Sequence, residues 1–218
     1  MHTTNHKNSV VEYHKKPIPE GYPKPSVFIN LIHPISQKAA VYIDSKSFFC
    51  TIPKGKTIIQ AGIVCPYLFL INKGLLRSYF KDGHKDITTW ISAENEMATS
   101  ISSFFGQLPS LDNIQAIEDC ELTGFHYEDL QYLYDHFPEV NVAARKLLEL
   151  YYRSSEERAY IIRLSKASFK YNYFLKTRPF FSNRIPLKYI ASFLGVTIET
   201  LSRLRKDNSI KKTDPGKS

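Results

Sequence analysis

The spacing of hydrophobic residues changes along the chain, and each change predicts a different kind of structure. Between Ser26 and Phe49 the apolar residues fall into groups separated at Pro34. This predicts short helices that are interrupted at the proline. From there to about His126 the segments are short, rich in β-branched and aromatic residues, and repeatedly interrupted by Gly or Pro. That pattern is typical of a β-sandwich or jelly roll.

Helical spacing returns after His126. Residues 127–137 predict a short helix, and residues 138–166 contain no glycine and no internal proline, which predicts one long helix. Its apolar residues repeat at heptad spacing and favour a partner helix in a symmetric dimer. Packing of the same stripe on the chain's own β-domain is the alternative. The predicted interface residues are Ala143, Leu147, Leu150, Tyr151, Ser154, Arg158 and Ile161.

The segment ASFLGVTIETLSRLRK, residues 191–206, predicts a helix-turn-helix. A small residue, a turn glycine and apolar residues occupy the positions that two steeply crossing helices require. Pro186 suits the first turn of the leading helix, and the Thr197 side chain can cap the second. The outward side chains can hydrogen-bond bases and phosphates, although a helical hairpin without DNA function is the alternative. The predicted DNA contacts are Thr197, Glu199, Thr200, Ser202, Arg203, Arg205 and Lys206.

The positive charge is concentrated in the same part of the chain. Residues 139–218 contain 17 Lys and Arg against 7 Asp and Glu, a net charge of +10, whereas residues 1–138 carry −2. A polyanionic partner or a solvated basic face explains this asymmetry. Within this region, the aromatic and cationic side chains of residues 169–183 could stack on bases, but core packing with a snorkelling rim is the favoured interpretation.

Other features exclude several functional classes. Cys50, Cys65 and Cys120 are widely spaced, which predicts buried free thiols and no metal site or disulfide. The first 25 residues predict a flexible arm without a secretory signal, and no apolar stretch is long enough to span a bilayer, so a cytoplasmic protein is expected. No catalytic motif occurs, and His84 and His126 are isolated, so no enzyme is predicted. A β-roll metalloenzyme and haem sensing through a histidine are the remaining alternatives.

From about residue 28 to Lys206 the chain resembles the cyclic-AMP receptor protein / fumarate–nitrate regulator (Crp/Fnr) family of bacterial transcription regulators. The segment IPKGKTIIQAGIVCPYLFLINKGLLRSYF resembles the family's first β-roll hairpins, with Gly55, Gly62 and Gly74 at turns, and IETLSRLRK resembles its recognition helix. The end KDNSIKKTDPGKS departs from the family pattern, since little of it is left to form the usual β-wing. The chain resembles a divergent, Bacteroidetes-type branch of the family.

The resemblance implies an α+β fold in four parts. These are a flexible arm over 1–25, a double-stranded β-helix that resembles a cyclic nucleotide-binding domain over 26–137, a dimerisation helix over 138–166, and a helix-turn-helix DNA-binding domain over 167–218. It also implies a homodimer that binds double-stranded DNA, with RNA polymerase as a further partner. A small-molecule effector would bind in the β-roll.

The family's ligand cassette contains a Gly–Glu pair and, some ten to fifteen residues on, an arginine; the chain keeps the glutamate as Glu96 but lacks the glycine and the arginine. Asn95 precedes Glu96, and no arginine occurs between Arg77 and Arg145. A buried phosphate would then lack a cation and would face Asp112, so we predict that cyclic nucleotide binding is lost or altered, unless Lys81 or Lys85 substitutes. No cofactor is predicted. The candidate ligand positions are Glu96, Met97, Ser110, Leu111, Asp112 and Asn113.

The predicted function is therefore that of a sequence-specific DNA-binding transcription regulator. Its β-roll would bind an unidentified effector or act constitutively. The alternative is a module that binds a cyclic nucleotide or another small molecule, in which the helix-turn-helix is not the functional part.

Overall fold

The computed structural model describes residues 14–179, 181 and 183–213, with side chains up to residue 207. Along these residues the helices are α1 (Pro25–Ile32), α2 (Gln37–Lys46), α3 (Ile101–Gly106), α4 (Tyr127–His136), α5 (Pro138–Arg163), α6 (Ala167–Thr177), α7 (Leu187–Leu194) and α8 (Ile198–Thr213). The strands are β1 (Phe48–Ile52), β2 (Thr57–Ile59), β3 (Tyr67–Lys73), β4 (Leu76–Asp82), β5 (Lys85–Ser92), β6 (Met97–Ala98), β7 (Asn113–Ala116) and β8 (Cys120–His126). The chain divides into two compact units, residues 1–81 with 89–148 and residues 82–88 with 149–218.

Two four-stranded sheets form the β-roll of the first unit. Their strand orders are β1-β8-β3-β6 and β2-β7-β4-β5, with antiparallel pairing between neighbours such as β1 and β8 or β4 and β7. Phe69, Ile71 and Leu122 from the first sheet share one buried core with Leu76 and Ile114 from the second. The short alternating strands therefore form the predicted β-sandwich, because each sheet buries one face against the other.

Two glycines of the first unit lie where a side chain would collide with its surroundings. Gly74 ends β3 with a φ of 101°, and a Cβ there would lie 2.6 Å from the sulfur of Cys120. Gly124 pairs with Phe48 across β8 and β1, and a Cβ there would lie 2.3 Å from the Phe48 ring. The sequence predicts the turn at Gly74, but it does not predict the close approach of the Phe48 ring to Gly124.

Helices α1, α2 and α4 and the start of α5 form a second buried cluster in this unit. The helical break at Pro34 is present as predicted, and α2 begins at a Ser36 side chain that accepts from the Ala39 N–H at 3.2 Å. Buried Ile43, Leu133 and Val140 pack together in this cluster. Partly buried side chains of β3 and β8 pack against them, so the cluster covers the outer face of the first sheet.

The described part of the predicted N-terminal arm runs along β1. Lys16 and Phe49 exchange two backbone hydrogen bonds of 2.9 and 2.8 Å. The Lys15 ammonium donates to the Tyr67 hydroxyl at 2.6 Å and lies 4.6 Å from the centre of that ring. Residues 14–16 are therefore held at the sheet, while the first thirteen residues of the predicted arm lie outside the described residues.

The second unit contains the end of α5, helices α6 to α8 and the hairpin tip at residues 82–88. Tyr171 and Phe174 of α6 are buried at 4% and 2% exposure. The buried Lys170 ammonium donates to the Ile162 carbonyl at 2.8 Å, near the end of α5. These contacts favour core packing over base stacking for Tyr171 and Phe174, whereas Phe169 at the start of the same segment is 56% exposed.

Candidate functional site

Helices α7 and α8 are joined by a tight turn at Gly195. This residue has the left-handed backbone conformation, with φ 62° and ψ 46°, which glycine adopts without steric cost. The N–H of Gly195 donates to the Ser192 carbonyl at 3.2 Å, and the N–H of Val196 donates to the Ala191 carbonyl at 3.0 Å. The last carbonyls of α7 are thereby satisfied while the chain changes direction, as predicted for a glycine in this turn.

The start of α8 is stabilised by its own polar side chains. The Thr197 hydroxyl accepts from the Thr200 N–H at 3.2 Å, which confirms the predicted cap. The Glu199 backbone N–H, and then the Thr197 hydroxyl, lower the pKa of the Glu199 carboxyl. A carboxylate in this first turn also interacts favourably with the helix dipole. Pro186 occupies the N-cap of α7, one residue before the first turn where it was predicted, because α7 begins at Leu187.

The two faces of this helical pair differ in burial as the sequence predicts. Ile190, Ala191, Leu194 and Leu201 are at most 1% exposed. Around the solvent-facing part of α8 and at its cap lies a set of polar side chains that we call the polar row. Thr200 is half-buried in this row and its other members are exposed. The polar row consists of Thr197, Glu199, Thr200, Ser202, Arg203, Arg205 and Lys206.

One member of the polar row already has a partner. The Arg205 guanidinium donates to the side-chain oxygen of Asn183 at 3.1 Å. Both side chains are exposed. This hydrogen bond orients the Arg205 charge without removing it from solvent, so the group remains accessible to an anion.

Ser192 connects α7 to the hairpin tip within the second unit. Its hydroxyl accepts from the Thr88 N–H at 2.8 Å and donates to the Asp86 carbonyl at 3.0 Å. The Arg158 guanidinium donates to the Thr88 carbonyl at 3.3 Å and lies 4.8 Å from the centre of the Phe193 ring. Sequence reasoning missed Ser192, because its partners are 104 and 106 residues away in the chain.

The predicted dimer residues occupy several environments. Ala143 is buried within the first unit, and Arg158 is committed to Thr88 and Phe193 in the second. Burial, and then the neighbouring Arg178, lower the pKa of Arg158. Leu150 is 57% exposed. The four remaining predicted residues, Leu147, Tyr151, Ser154 and Ile161, are half-buried.

Asn95 lies in a turn at the position where the resemblance places the glycine of the ligand cassette. Its backbone has a conformation that glycine adopts easily. Asn95 has a φ of 65°, a left-handed conformation that asparagine adopts more readily than most residues. The Glu96 carboxylate accepts from the Ala93 N–H at 3.1 Å and closes its own turn. Met97, by contrast, lines an apolar cavity of about 70 Å³ beside the N-terminal helices, together with Phe28 and Phe125.

A cluster of hydroxyl side chains surrounds Asp112 in the second half of the ligand cassette. The Asp112 carboxylate accepts from the Ser78 hydroxyl through Oδ2 and from the Ser100 hydroxyl through Oδ1, the latter at 2.5 Å. The Ser110 hydroxyl lies 2.8 Å from that of Ser100, and Thr89 donates to Ser78 at 3.2 Å. The hydroxyl cluster is defined as Ser78, Thr89, Ser100, Ser110 and Asp112.

The remaining cassette positions point elsewhere. Leu111 is 79% exposed, and the Asn113 side chain accepts from the Ala61 N–H at 3.1 Å. Ser110 and Asp112 are therefore the only two of the six candidate residues that lie in the hydroxyl cluster. Sequence reasoning missed the hydroxyls of Ser78 on β4 and Thr89 on β5. The sequence signal that could have found them is a polar residue on the inward-facing, alternate positions of a buried strand.

The cations nearest in sequence to this region are engaged or exposed. The buried Arg77 side chain donates to Gln115 at 2.9 Å and its guanidinium lies 3.9 Å from the centre of the Tyr79 ring. Lys81 and Lys85, considered above as substitutes for the cassette arginine, are both exposed. Neither lysine is a buried cation of the kind that a buried phosphate requires.

The three thiols are buried and free, as predicted. Burial raises the pKa of Cys50 and Cys120 to about 12, which keeps them as inert thiols. In the part of the chain that the structure describes, no group of three or more His, Cys, Asp or Glu side chains could hold a metal ion. No helix within that part has the length and apolar character needed to cross a bilayer.

Residues 49–137 match the family model described as Cyclic nucleotide-binding domain, so a domain of this class is present in the β-roll. The chain is also similar to solved structures of regulators. A protein from Eubacterium rectale described as a transcriptional regulator of the Crp/Fnr family is 18% identical, with 85% of this chain and 88% of that chain covered and a TM-score of 0.67.

Two further structures have the same fold. A mutant of CooA from Carboxydothermus hydrogenoformans is 18% identical over 77% of both chains, with a TM-score of 0.62. FixK2 from Bradyrhizobium japonicum is 17% identical over 76% of this chain and 86% of that chain, also with a TM-score of 0.62. No curated protein matches the sequence. At these identities the similarity concerns the fold.

Proposed function

We propose that the chain is a homodimeric, sequence-specific DNA-binding transcription regulator of the Crp/Fnr type, from a divergent Bacteroidetes-like branch. The observation that carries this proposal is the polar row. Its members Glu199, Arg203 and Lys206 present carboxylate, guanidinium and ammonium groups on the side of α8 that faces away from the fully buried Leu201. An α-helix of this kind fits the major groove, where such groups hydrogen-bond base edges and phosphates.

Each member of the polar row has a role in this proposal. Arg203 would bridge guanine O6 and N7, and Glu199, whose lowered pKa favours the carboxylate, would accept from cytosine N4. The hydroxyls of Thr197, Thr200 and Ser202 would bond bases or phosphates. Arg205 and Lys206 would attract phosphates, helped by the net charge of +10 over residues 139–218.

The dimer would place two polar rows on one DNA duplex. The support is a set of apolar side chains on α5 that are exposed in the single chain, including Leu148 at 46%, Leu150 at 57% and Tyr152 at 72%. Half-sites of a dimeric helix-turn-helix protein are about 34 Å apart. In this proposal Leu147, Tyr151, Ser154 and Ile161 join the interface, whereas Ala143 and Arg158 support it from within each chain.

The proposal assigns the four parts as arm, β-roll, dimerisation helix and helix-turn-helix with the boundaries given above. RNA polymerase is the proposed further protein partner and a small molecule the proposed effector. Cyclic nucleotide binding is proposed to be lost or greatly altered, because Asp112 is an anion and Lys81 and Lys85 are exposed. The protein is proposed to need no cofactor and to catalyse no reaction.

A second candidate function is that of a small-molecule-binding module in which the helical pair is not the functional part. The match of residues 49–137 to a cyclic nucleotide-binding domain favours it. Calorimetry with cyclic AMP and cyclic GMP distinguishes the two proposals. Micromolar binding that Glu96→Gln abolishes would support the second function and contradict the loss of cyclic nucleotide binding.

The test of DNA recognition is selection of a preferred operator from random duplexes, followed by affinity measurements on single-base variants of it. We expect Arg203→Ala to lose about 1–3 kcal/mol of discrimination at one base pair, because a bidentate contact to guanine is removed. Lys188→Ala is the matched control, since Lys188 is an exposed cation on α7. If Arg203→Ala instead lowers the affinity for all sequences by the same factor, the assigned role is wrong.

A further inference from the structure

The hydroxyl cluster in the first unit is a polar feature that DNA recognition does not use. Both carboxylate oxygens of Asp112 accept hydrogen bonds, Oδ2 from Ser78 and Oδ1 from Ser100. The Ser110 hydroxyl lies 3.1 Å from Oδ1. Among the residues that the structure describes, no Lys, Arg or His forms an ion pair with this carboxylate. The negative charge of Asp112 is thus stabilised by neutral donors.

The donors come from separate parts of the fold and converge on one point. Ser78 lies on β4 and Thr89 on β5, whereas Ser100 is the N-cap residue of α3. Thr89 donates to Ser78, which donates to Asp112, and hydrogen bonds in such a chain strengthen one another. Ser100 and Ser110 are buried at 1% and 3% exposure. Water is therefore not the main partner of these two hydroxyls.

Ser78, Thr89 and Asp112 itself are half-buried. Convergent hydrogen-bond donors in such partly buried places are one means by which proteins bind oxyanions. A carboxylate and a phosphate both present negatively charged oxygens that accept strong, short hydrogen bonds from hydroxyls. Here the accepting oxygens belong to the chain itself. A second anion at the same point would lose the donors to Asp112 and would be repelled by its charge.

We propose that the Asp112 carboxylate is a built-in occupant of an anion-binding site in the β-roll. The inference deepens the proposed function, because it rests on the part of that function in which no cyclic phosphate is bound. It adds that the domain is complete without a ligand, since the side chain supplies the oxygens that a small oxyanion would otherwise supply. Removal of the carboxylate should expose a site for a small carboxylate or phosphate.

The test is to replace Asp112 with alanine and to restore the missing oxygens with formate. We expect Asp112→Ala to lower the midpoint of thermal unfolding by about 3–8 °C, because buried hydroxyl donors lose their acceptor. Sodium formate should then raise the midpoint of this variant by about 3–6 °C at ten times its dissociation constant. Sodium chloride at equal ionic strength should have a smaller effect.

Asp119→Ala is the matched control, because Asp119 is an exposed carboxylate that accepts from the Lys54 N–H at 2.7 Å. Formate should stabilise neither this variant nor the wild type beyond the chloride effect. The inference fails if formate does not stabilise Asp112→Ala selectively, or if it stabilises the wild type equally.

Asp112→Asn covers the case in which the alanine variant does not fold. The amide retains the volume but replaces one oxygen acceptor with a donor, so the unfolding midpoint should fall without any response to formate. An Asp112→Asn variant as stable as the wild type would overturn the inference. These stability measurements are independent of base discrimination by Arg203, so either proposal can fail while the other survives.

Discussion

The hydroxyl cluster of the β-roll and the polar row of α8 contain the same types of side chain in opposite situations. In the cluster, Ser78 and Ser100 donate to a carboxylate of the same chain. In the row, Ser202 and Arg203 are exposed, and the hydrogen bonds that Thr197 makes only cap the helix. Polar groups that satisfy one another stabilise a domain, whereas exposed groups on a rigid helix are available for a partner. Residue type alone does not distinguish the two situations.

The largest expected effect comes from removing the support under the polar row. Leu201 is 0% exposed on the inner side of α8. Leu201→Ala should destabilise the protein by about 2–5 kcal/mol, since it removes buried apolar area and leaves a cavity. Denaturant unfolding measures this loss. Ile198→Ala, at a position on the same helix that is 47% exposed, should cost much less; equal losses would contradict the division of α8 into two faces.

A smaller effect on the free energy of unfolding should distinguish a hydrogen-bonded serine from an exposed one. Ser192→Ala removes the acceptor of the Thr88 N–H, which belongs to a fully buried residue, and should cost about 1–2 kcal/mol. Ser202→Ala, in the polar row, should stay within about 0.5 kcal/mol of wild-type stability. Urea unfolding of both variants tests the comparison. If Ser202→Ala were the more destabilising, the row would be structural instead of available for a partner.

The smallest effect is a pH dependence of the helix start. The folded protein lowers the pKa of Glu199 below its usual 4.5, through its own backbone N–H and then Thr197. Such a group stabilises the fold above its unfolded pKa, and the contribution is lost as pH falls through the lower folded value. The stability difference between wild type and Glu199→Gln should therefore shrink below about pH 4.

Chemical unfolding at pH 7 and pH 3 measures this pH dependence. Asp207→Asn on the same helix serves as the control for a general change of charge. A wild-type advantage over Glu199→Gln that grows on acidification would show that the assigned hydrogen bonds do not hold the carboxylate.

Much of the fold could be predicted because local patterns carry it. Alternating strands, the helical break at Pro34, the turn at Gly195 and the cap at Thr197 each depend on residues close in sequence. The buried and exposed sides of α8 also follow from helical periodicity. The cassette was predicted less well, because only Ser110 and Asp112 of its six candidates lie in the hydroxyl cluster.

The sequence by itself determined the β-roll, the long helix and the glycine turn before α8, since each follows from periodicity and turn chemistry within a short segment. Only the tertiary structure decided that Asp112 meets hydroxyls from β4 and α3, that Ser192 bonds to the hairpin tip, and that the Gly124 backbone lies against the Phe48 ring. These contacts join residues far apart in the chain. Their existence depends on strand register and on packing between elements, which no local pattern encodes.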